Sequence, residues 1–305
     1  MTPAQGLRAV LLTCQTQILT NANAIASADF GPEHVHQLRV GLRRLRSGLR
    51  LFDGVFDGLP PTAEPPALAA LNAAAAAFFR LLGETRDGDV LAGLWAPAVQ
   101  AALRAAGLEA AAASAAAAVP PALATVSTTA NVVEIVQAAP QQAMLADLAR
   151  LIEQLAEPAA RLRRRKSAVT ATPQAALLSQ LRRRLQRWQT QVCADAARFA
   201  ELDIEARHQL RKRLKRLRYG LEFYGQLSPA RRLRSTALKP LQHAQQVLGE
   251  LNDLALAIDA SRADLADNPP AWFALGWLSA RQQQLLSSAL PVMQRLGETP
   301  PLWNS

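Results

Sequence analysis

The segment His36-Gln37-Leu38-Arg39-Val40-Gly41-Leu42-Arg43-Arg44-Leu45-Arg46-Ser47-Gly48-Leu49-Arg50-Leu51-Phe52 carries two interleaved patterns, both with spacings of three and four. At 100° per residue, His36, Arg39, Arg43, Arg46 and Arg50 fall within an arc of about 80°. Leu38, Leu42, Leu45, Leu49 and Phe52 fill a second arc centred roughly 120° away. Such a helix buries a leucine face and carries a row of cations along the adjoining flank. The same object recurs 172 residues later. His208-Gln209-Leu210-Arg211 is followed by Leu214-Lys215-Arg216-Leu217-Arg218-Tyr219-Gly220-Leu221-Glu222, and ten of the 17 positions of 36–52 are identical in 208–224. A fainter pair follows in the same order, Leu82-Gly83-Glu84-Thr85-Arg86-Asp87 against Leu248-Gly249-Glu250-Leu251-Asn252-Asp253. Two matches in one order imply a duplicated helical unit. The break around Ser167–Pro173 puts the first repeat at 1–168 and the second at 169–305.

Working outward, apolar residues recur at three and four almost everywhere, which predicts an all-α fold. Helices are expected over about 5–27, 33–54, 65–93, 97–118, 141–167, 174–200, 205–226, 230–260 and 271–296. Prolines punctuate the gaps, and Pro158, Pro240 and Pro291 predict kinks inside helices. The β-branched residues between Thr125 and Val136 suggest a short strand. The Ala-rich stretch 98–139 reads as weak helix plus a loose connection.

The chain has 305 residues and a mass of 32.8 kDa, and half its residues are hydrophobic, which excludes disordered and fibrous classes. Basic residues outnumber acidic ones 34 to 24, for a net charge of +10, and only Lys166, Lys212, Lys215 and Lys239 among the 34 are lysines. Arginine's planar five-donor fork suits carboxylate and phosphate, so the bias points to an anionic partner. Between residues 161 and 218 there are 17 basic and four acidic residues. Cys14 and Cys193 make no disulfide framework, and neither a signal-like leader nor an 18-residue apolar run is present. The expectation is a cytoplasmic protein with no membrane partner.

Successive cations in the row step about 5–6 Å along the helix, so four span about 15 Å, enough for an extended polyanion to touch each. Acidic residues at i±4 are nearly absent until Glu222, and like charges at that spacing repel. A row repeated in both halves therefore costs stability without an anionic partner. Gly48 and Gly220 fit close approach by another helix, and Gly41 adds a similar site in the first copy only. His34 and His36, two apart, do not converge, and no Cys/His/Asp cluster has metal-site spacing, so no metal and no cofactor are expected. His36 and His208 read as structural or phosphate-bonding histidines whose ordinary titration would strengthen binding mildly in acid. Asp87 and Asp253 read as carboxylates orienting arginine forks. Glu201, Asp203 and Glu205 read as favourable charge at a helix N-terminus. No nucleotide loop, HExxH or nucleophile elbow occurs, so catalysis is not expected.

The string His36-Gln-Leu-Arg-Val-Gly-Leu-Arg-Arg-Leu-Arg, its echo His208-Gln-Leu-Arg-Lys-Arg-Leu-Lys-Arg-Leu-Arg-Tyr-Gly-Leu-Glu222, and the Arg86-Asp87 and Asn252-Asp253 helix ends resemble a CHAD (conserved histidine α-helical) domain. The resemblance implies a single such domain over 1–305, built as two four-helix bundles related by approximate twofold symmetry around a basic groove or pore. It implies binding of long-chain inorganic polyphosphate and association with polyphosphate granules. By the matching positions, the binding residues would be His36, Arg39, Arg43, Arg46 and Arg50 from one half and His208, Arg211, Lys215 and Arg218 from the other. Lys239, expected at the start of the helix ending at Asn252-Asp253, would add a contact with no equivalent at Ala73. Family members are often fused to a CYTH triphosphatase domain bearing Glu-x-Glu-x-Lys; this chain lacks that motif, so hydrolysis is not carried over.

Rows of arginine without interleaved aromatics suit a polymer with no bases to stack, and they make a non-catalytic polyphosphate-binding protein or adaptor the first expectation. Non-specific nucleic-acid binding is the alternative, since phosphate contacts dominate there too. Only Trp188 and Tyr219 lie close enough to stack bases. A homodimer is compatible with either reading.

Overall fold

Each half opens on a Thr-Pro pair. In the computed structural model, which describes residues 1–56, 68–90, 96–109, 129–156, 172–228, 233–263 and 269–303, helix α1 (Pro3–Ala26) starts from a capping box. The Thr2 hydroxyl accepts from the Gln5 amide at 3.2 Å, while Gln5 Oε1 accepts from the Thr2 amide at 2.8 Å. Helix α7 (Pro173–Ala197) keeps only the N-cap half of the device: Thr172 accepts from the Ala175 amide at 3.3 Å, and Ala175 has no side chain to return the bond. Proline at the first helical position costs nothing, because its missing N–H would have had no partner there.

Between them run α2 (Pro32–Phe52), α3 (Leu68–Val90), α4 (Ala96–Ala105), α5 (Thr129–Gln137) and α6 (Ala139–Gln154). After α7 and a 3₁₀ turn at Phe199–Glu201 come α8 (Ile204–Leu227), α9 (Leu233–Ala263) and α10 (Pro269–Gly297). No strand occurs among the described residues. The segment suggested as a strand is helix from Thr129 onward; its earlier residues lie outside those described. Val132 and Val136 are buried, and α5 packs on α1, α3 and α6. Burial of those valines outweighs a β-propensity of about 1 kcal/mol at most. The prolines at 240 and 291 lie inside continuous helices, and Pro158 lies outside the described residues.

In the N-terminal half, α1 packs on α2, α2 on α3, and α3 on α6, while α5 and α6 together close the ring back onto α1. In the C-terminal half, α7, α8, α9 and α10 form a closed ring of four. The leucines expected to face inward do so: Leu38, Leu42, Leu45, Leu210 and Leu214 are completely buried. One contiguous hydrophobic core runs through both halves, and α2 crosses directly over α8. Gly48 sits where an added Cβ would stand 2.8 Å from Val10 Cγ1 on α1, and Gly220 where it would stand 2.6 Å from Leu185 Cδ2 on α7. The two basic helices are thus each pressed onto the first helix of their own half.

Candidate functional site

Because α2 and α8 pack together, the two repeated basic segments meet where the two halves touch. Arg44 reaches Glu222, and Arg50 stands near enough to Arg216 to disfavour its charge. Moving up one helix therefore means moving down the other, so the crossing is antiparallel. Arg184 on α7 reinforces it by donating to the carbonyls of Arg50 (3.0 Å), Leu51 (3.2 Å) and Asp53 at the end of α2. These carbonyls lack helical partners, and a guanidinium there also suits the negative end of the helix dipole.

In the first row, Arg39 is the deepest cation, 7% exposed. Its guanidinium lies over Gly83 on α3, donates to the Leu82 carbonyl, and stacks 4.7 Å from the Phe79 ring centroid. A side chain at 83 would occupy that space. Arg43 shares Phe79 from 4.9 Å. Arg46 is half-buried and held below the ordinary arginine pKa, first by desolvation and then by Arg50, Arg43 and Arg80. Its buried Nε has no hydrogen-bond partner among the described residues. Arg50, at the last turn, is exposed. His36 is partly buried near the start of the row, while His34 is a cap, its Nδ1 accepting from the Gly31 amide at 3.0 Å.

The second row begins at His208, whose Nδ1 is 2.8 Å from Asn252 Oδ1. Asn252 Nδ2 donates to Asp253 Oδ1 at 3.3 Å, so its oxygen faces the histidine and His208 carries the Nδ1 proton. Burial pushes the His208 pKa down, against the opposing effect of that hydrogen bond. A cavity of about 220 Å³ opens beside it, lined among others by Glu205, Arg207, Leu251, Asn252 and Asp259. Arg211 lies over Gly249 at 3.6 Å, the counterpart of Arg39 over Gly83. Lys215 is 7% exposed.

Arg218 departs from the expected row. Its Nη1 donates to Glu222 Oε1 at 2.6 Å and its Nε to Gln245 Oε1 at 2.7 Å, and it lies 4.4 Å from the Tyr219 ring. The other Glu222 oxygen accepts from Arg44 at 2.6 Å. One largely buried carboxylate thus holds an arginine from each half. Lys239 also differs from expectation: α9 begins at Leu233, so Lys239 is inside its second turn, and it is exposed. Asp253 accepts from Asn252 Nδ2 at 3.3 Å, which places its carboxylate behind the Asn252–His208 contact. The side chain of Asp87 lies outside the described ones.

Other arginines of the basic block are used structurally. Arg213 pairs with Asp195, Arg207 lies over Phe199, and Arg216 lies 4.7 Å from the Trp188 ring. Asp203 caps α8 by accepting from the Ala206 amide at 2.7 Å, which accounts for part of the acidic triplet before it. Among the described residues there is no cluster of three or more His, Cys, Asp or Glu able to hold a metal. Burial raises the Cys14 thiol to about 12 and raises Cys193, which makes both poor nucleophiles. No helix among the described residues is long and apolar enough to cross a membrane.

Sequence reasoning missed Arg44, Glu222 and Arg216 as members of the central crossing. They lie one position off the cationic row or at its end, and the Arg44–Glu222 pair forms only across the two halves. The one available signal was the alignment of Glu222 with Arg50, where the repeat exchanges an acid for a base.

A family model described as the CHAD domain matches residues 9–262. The crystal structure of the CHAD domain from the plant Ricinus communis is similar with a TM-score of 0.68 at 26% identity, covering 99% of this chain and 93% of that one. PptA from Streptomyces chartreusis shares the fold with a TM-score of 0.67 at 18% identity, covering 98% of this chain and 100% of that one. No curated protein sequence matches the chain.

Proposed function

The chain belongs to the CHAD domain family, and from that premise we propose that it binds long-chain inorganic polyphosphate through the cations of α2 and α8, without hydrolysing it. The observation that carries this reading is the surroundings of Arg46. Three further arginines, Arg43, Arg50 and Arg80, crowd a half-buried guanidinium whose Nε has no acceptor among the described residues. Holding like charges together in a partly desolvated place is unfavourable until an anion arrives. A phosphate chain supplies closely spaced charge of the required sign and needs no stacking surface.

The aromatic residues near the rows support polyphosphate over single-stranded nucleic acid. Trp188 and Tyr219 are 8% and 2% exposed, beneath Arg216 and beneath Arg44 and Arg218 respectively. They serve the protein's own cations and leave no face for a base. In a cell that accumulates polyphosphate, such a protein would sit on the polymer granules as an adaptor or coat.

The test is a titration with long-chain polyphosphate at about 150 mM salt, with single- and double-stranded DNA competing at matched phosphate. The expected result is binding that excess DNA does not displace, with no phosphate released in the presence of magnesium. Equal displacement by DNA would replace this reading with a general basic surface for nucleic acid.

A further inference from the structure

The repeat offset pairs Arg218 with Arg46, Arg216 with Arg44 and Glu222 with Arg50, and the offset of the third-helix match pairs Gln245 with Phe79. On one side of the crossing a carboxylate and an amide oxygen meet the guanidinium forks. Arg218 meets Glu222 Oε1 at 2.6 Å and Gln245 Oε1 at 2.7 Å, and Arg44 meets Glu222 Oε2 at 2.6 Å. On the equivalent side the arginines remain and the acceptors are gone. Arg50 stands where the carboxylate would be, and Phe79 where the amide would be. Neither can accept a hydrogen bond from a guanidinium fork.

The consequences are visible at both arginines. Among the described residues Arg46 Nε is buried without a hydrogen-bond partner, whereas that of its counterpart Arg218 is satisfied; the Nε atoms of Arg44 and Arg216 are both buried and unpartnered, and this pair differs at the fork, where Arg44 meets Glu222. Besides stacking on Trp188, Arg216 makes a long hydrogen bond, Nη2 to Gln191 Oε1 at 3.4 Å. Arg50 repels both: it is among the charges that lower Arg46 and is the first charge acting on Arg216 after burial. Arg50 itself is exposed, so solvent and solutes reach this side.

We propose that Arg46, Arg50 and Arg216 form an oxyanion subsite in which one phosphate group of the polymer takes the place that the Glu222 carboxylate holds on the other side of the crossing. This deepens the polyphosphate reading and rests on it. Binding is then one-sided. The internal carboxylate closes the Arg44–Arg218 side, and the polymer supplies the missing anion on the other. Arg216, which lies off the cationic row, becomes a ligand, while Arg218, which lies in it, does not.

The decisive variant is Arg50→Glu, which gives the first copy the carboxylate of the second. It is compared with Arg281→Glu, an exposed reversal of the same charge on α10. R50E should raise the thermal midpoint of the free protein and weaken polyphosphate binding at least about tenfold, the scale of one charge-assisted contact. R281E should do neither. Arg216→Gln should weaken binding without raising stability, and Arg50→Gln serves the same comparison where R50E does not fold. Wild-type binding that R50E and R216Q leave intact would overturn the subsite alone. A wild-type chain that binds no polyphosphate in the same titration would overturn the parent reading and the subsite with it.

Discussion

Asn252 decides what His208 can do. Its oxygen takes the Nδ1 proton, which leaves Nε2 as an acceptor in the neutral ring. Desolvation holds the folded pKa below the ordinary 6.5, with Arg211 and Lys212 adding to the shift and Glu205 opposing it. At neutral pH His208 is thus a polar positioning group, not a member of the cationic row, and acid strengthening of binding moves below the range read from the sequence. The sign for stability follows. Between the folded and unfolded values the unfolded chain carries the extra proton, so stability is complete above 6.5 and falls as pH drops through the folded value. Thermal midpoints measured at about pH 7.5, 6.5 and 5.5 should fall further for the wild type than for His208→Gln. Parallel curves for the two proteins would mean that His208 titrates alike in both states.

At the scale of elements, the glycines of the two basic helices set how closely α2 and α8 pack onto α1 and α7. An added Cβ at Gly220 would meet Leu185 Cδ2 at 2.6 Å and Trp188 Cζ3 at 3.0 Å. Leu185 is wholly buried and Trp188 nearly so, so a larger residue at 220 must displace core side chains. Gly220→Val should cost about 1–3 kcal/mol, read as a lower denaturant midpoint with helical content retained. An added Cβ at Gly276 on α10 would meet no other described side chain or helix within 4 Å, so Gly276→Ala should stabilise by about 0.5–1 kcal/mol. This contrast marks what the sequence could carry. A glycine inside a leucine-and-arginine repeat announces a close approach, and helical periodicity between proline breaks locates α1, α2, α7 and α8 to within a few residues. Val132 and Val136 were harder to read. Their β-branching is local, while the burial that makes α5 a helix comes from α1, α3 and α6. The site divides in the same way. The row from His36 to Arg50 is written in one helix's spacing, but the pairing of Arg44 with Glu222 spans 178 positions and depends on an antiparallel crossing that no local pattern encodes.

Across the whole molecule, one charge distribution controls two properties with opposite dependence on salt. The free chain carries +10, and arginines crowd at the α2–α8 crossing with a single carboxylate, Glu222, bridging the two helices. The ion pairs Arg150–Asp147 and Arg262–Asp259 are exposed i,i+3 contacts that add little. Repulsion therefore outweighs surface pairing, and screening should stabilise the free protein. Raising sodium chloride from about 0.05 to about 0.5 M, which shortens the screening length severalfold, should raise its thermal midpoint by a few degrees. Over the same range polyphosphate affinity should fall by more than about tenfold, because bound polymer must compete with salt for the same cations. With saturating polyphosphate at low salt, the midpoint should already be raised by the anion, and added salt should then lower it as the polymer dissociates. The two melting curves, free and bound, should converge as salt rises. A free protein that loses stability with salt would show that attractive pairs dominate the crossing, and the cations of α2 and α8 would then have no electrostatic need of a polyanion.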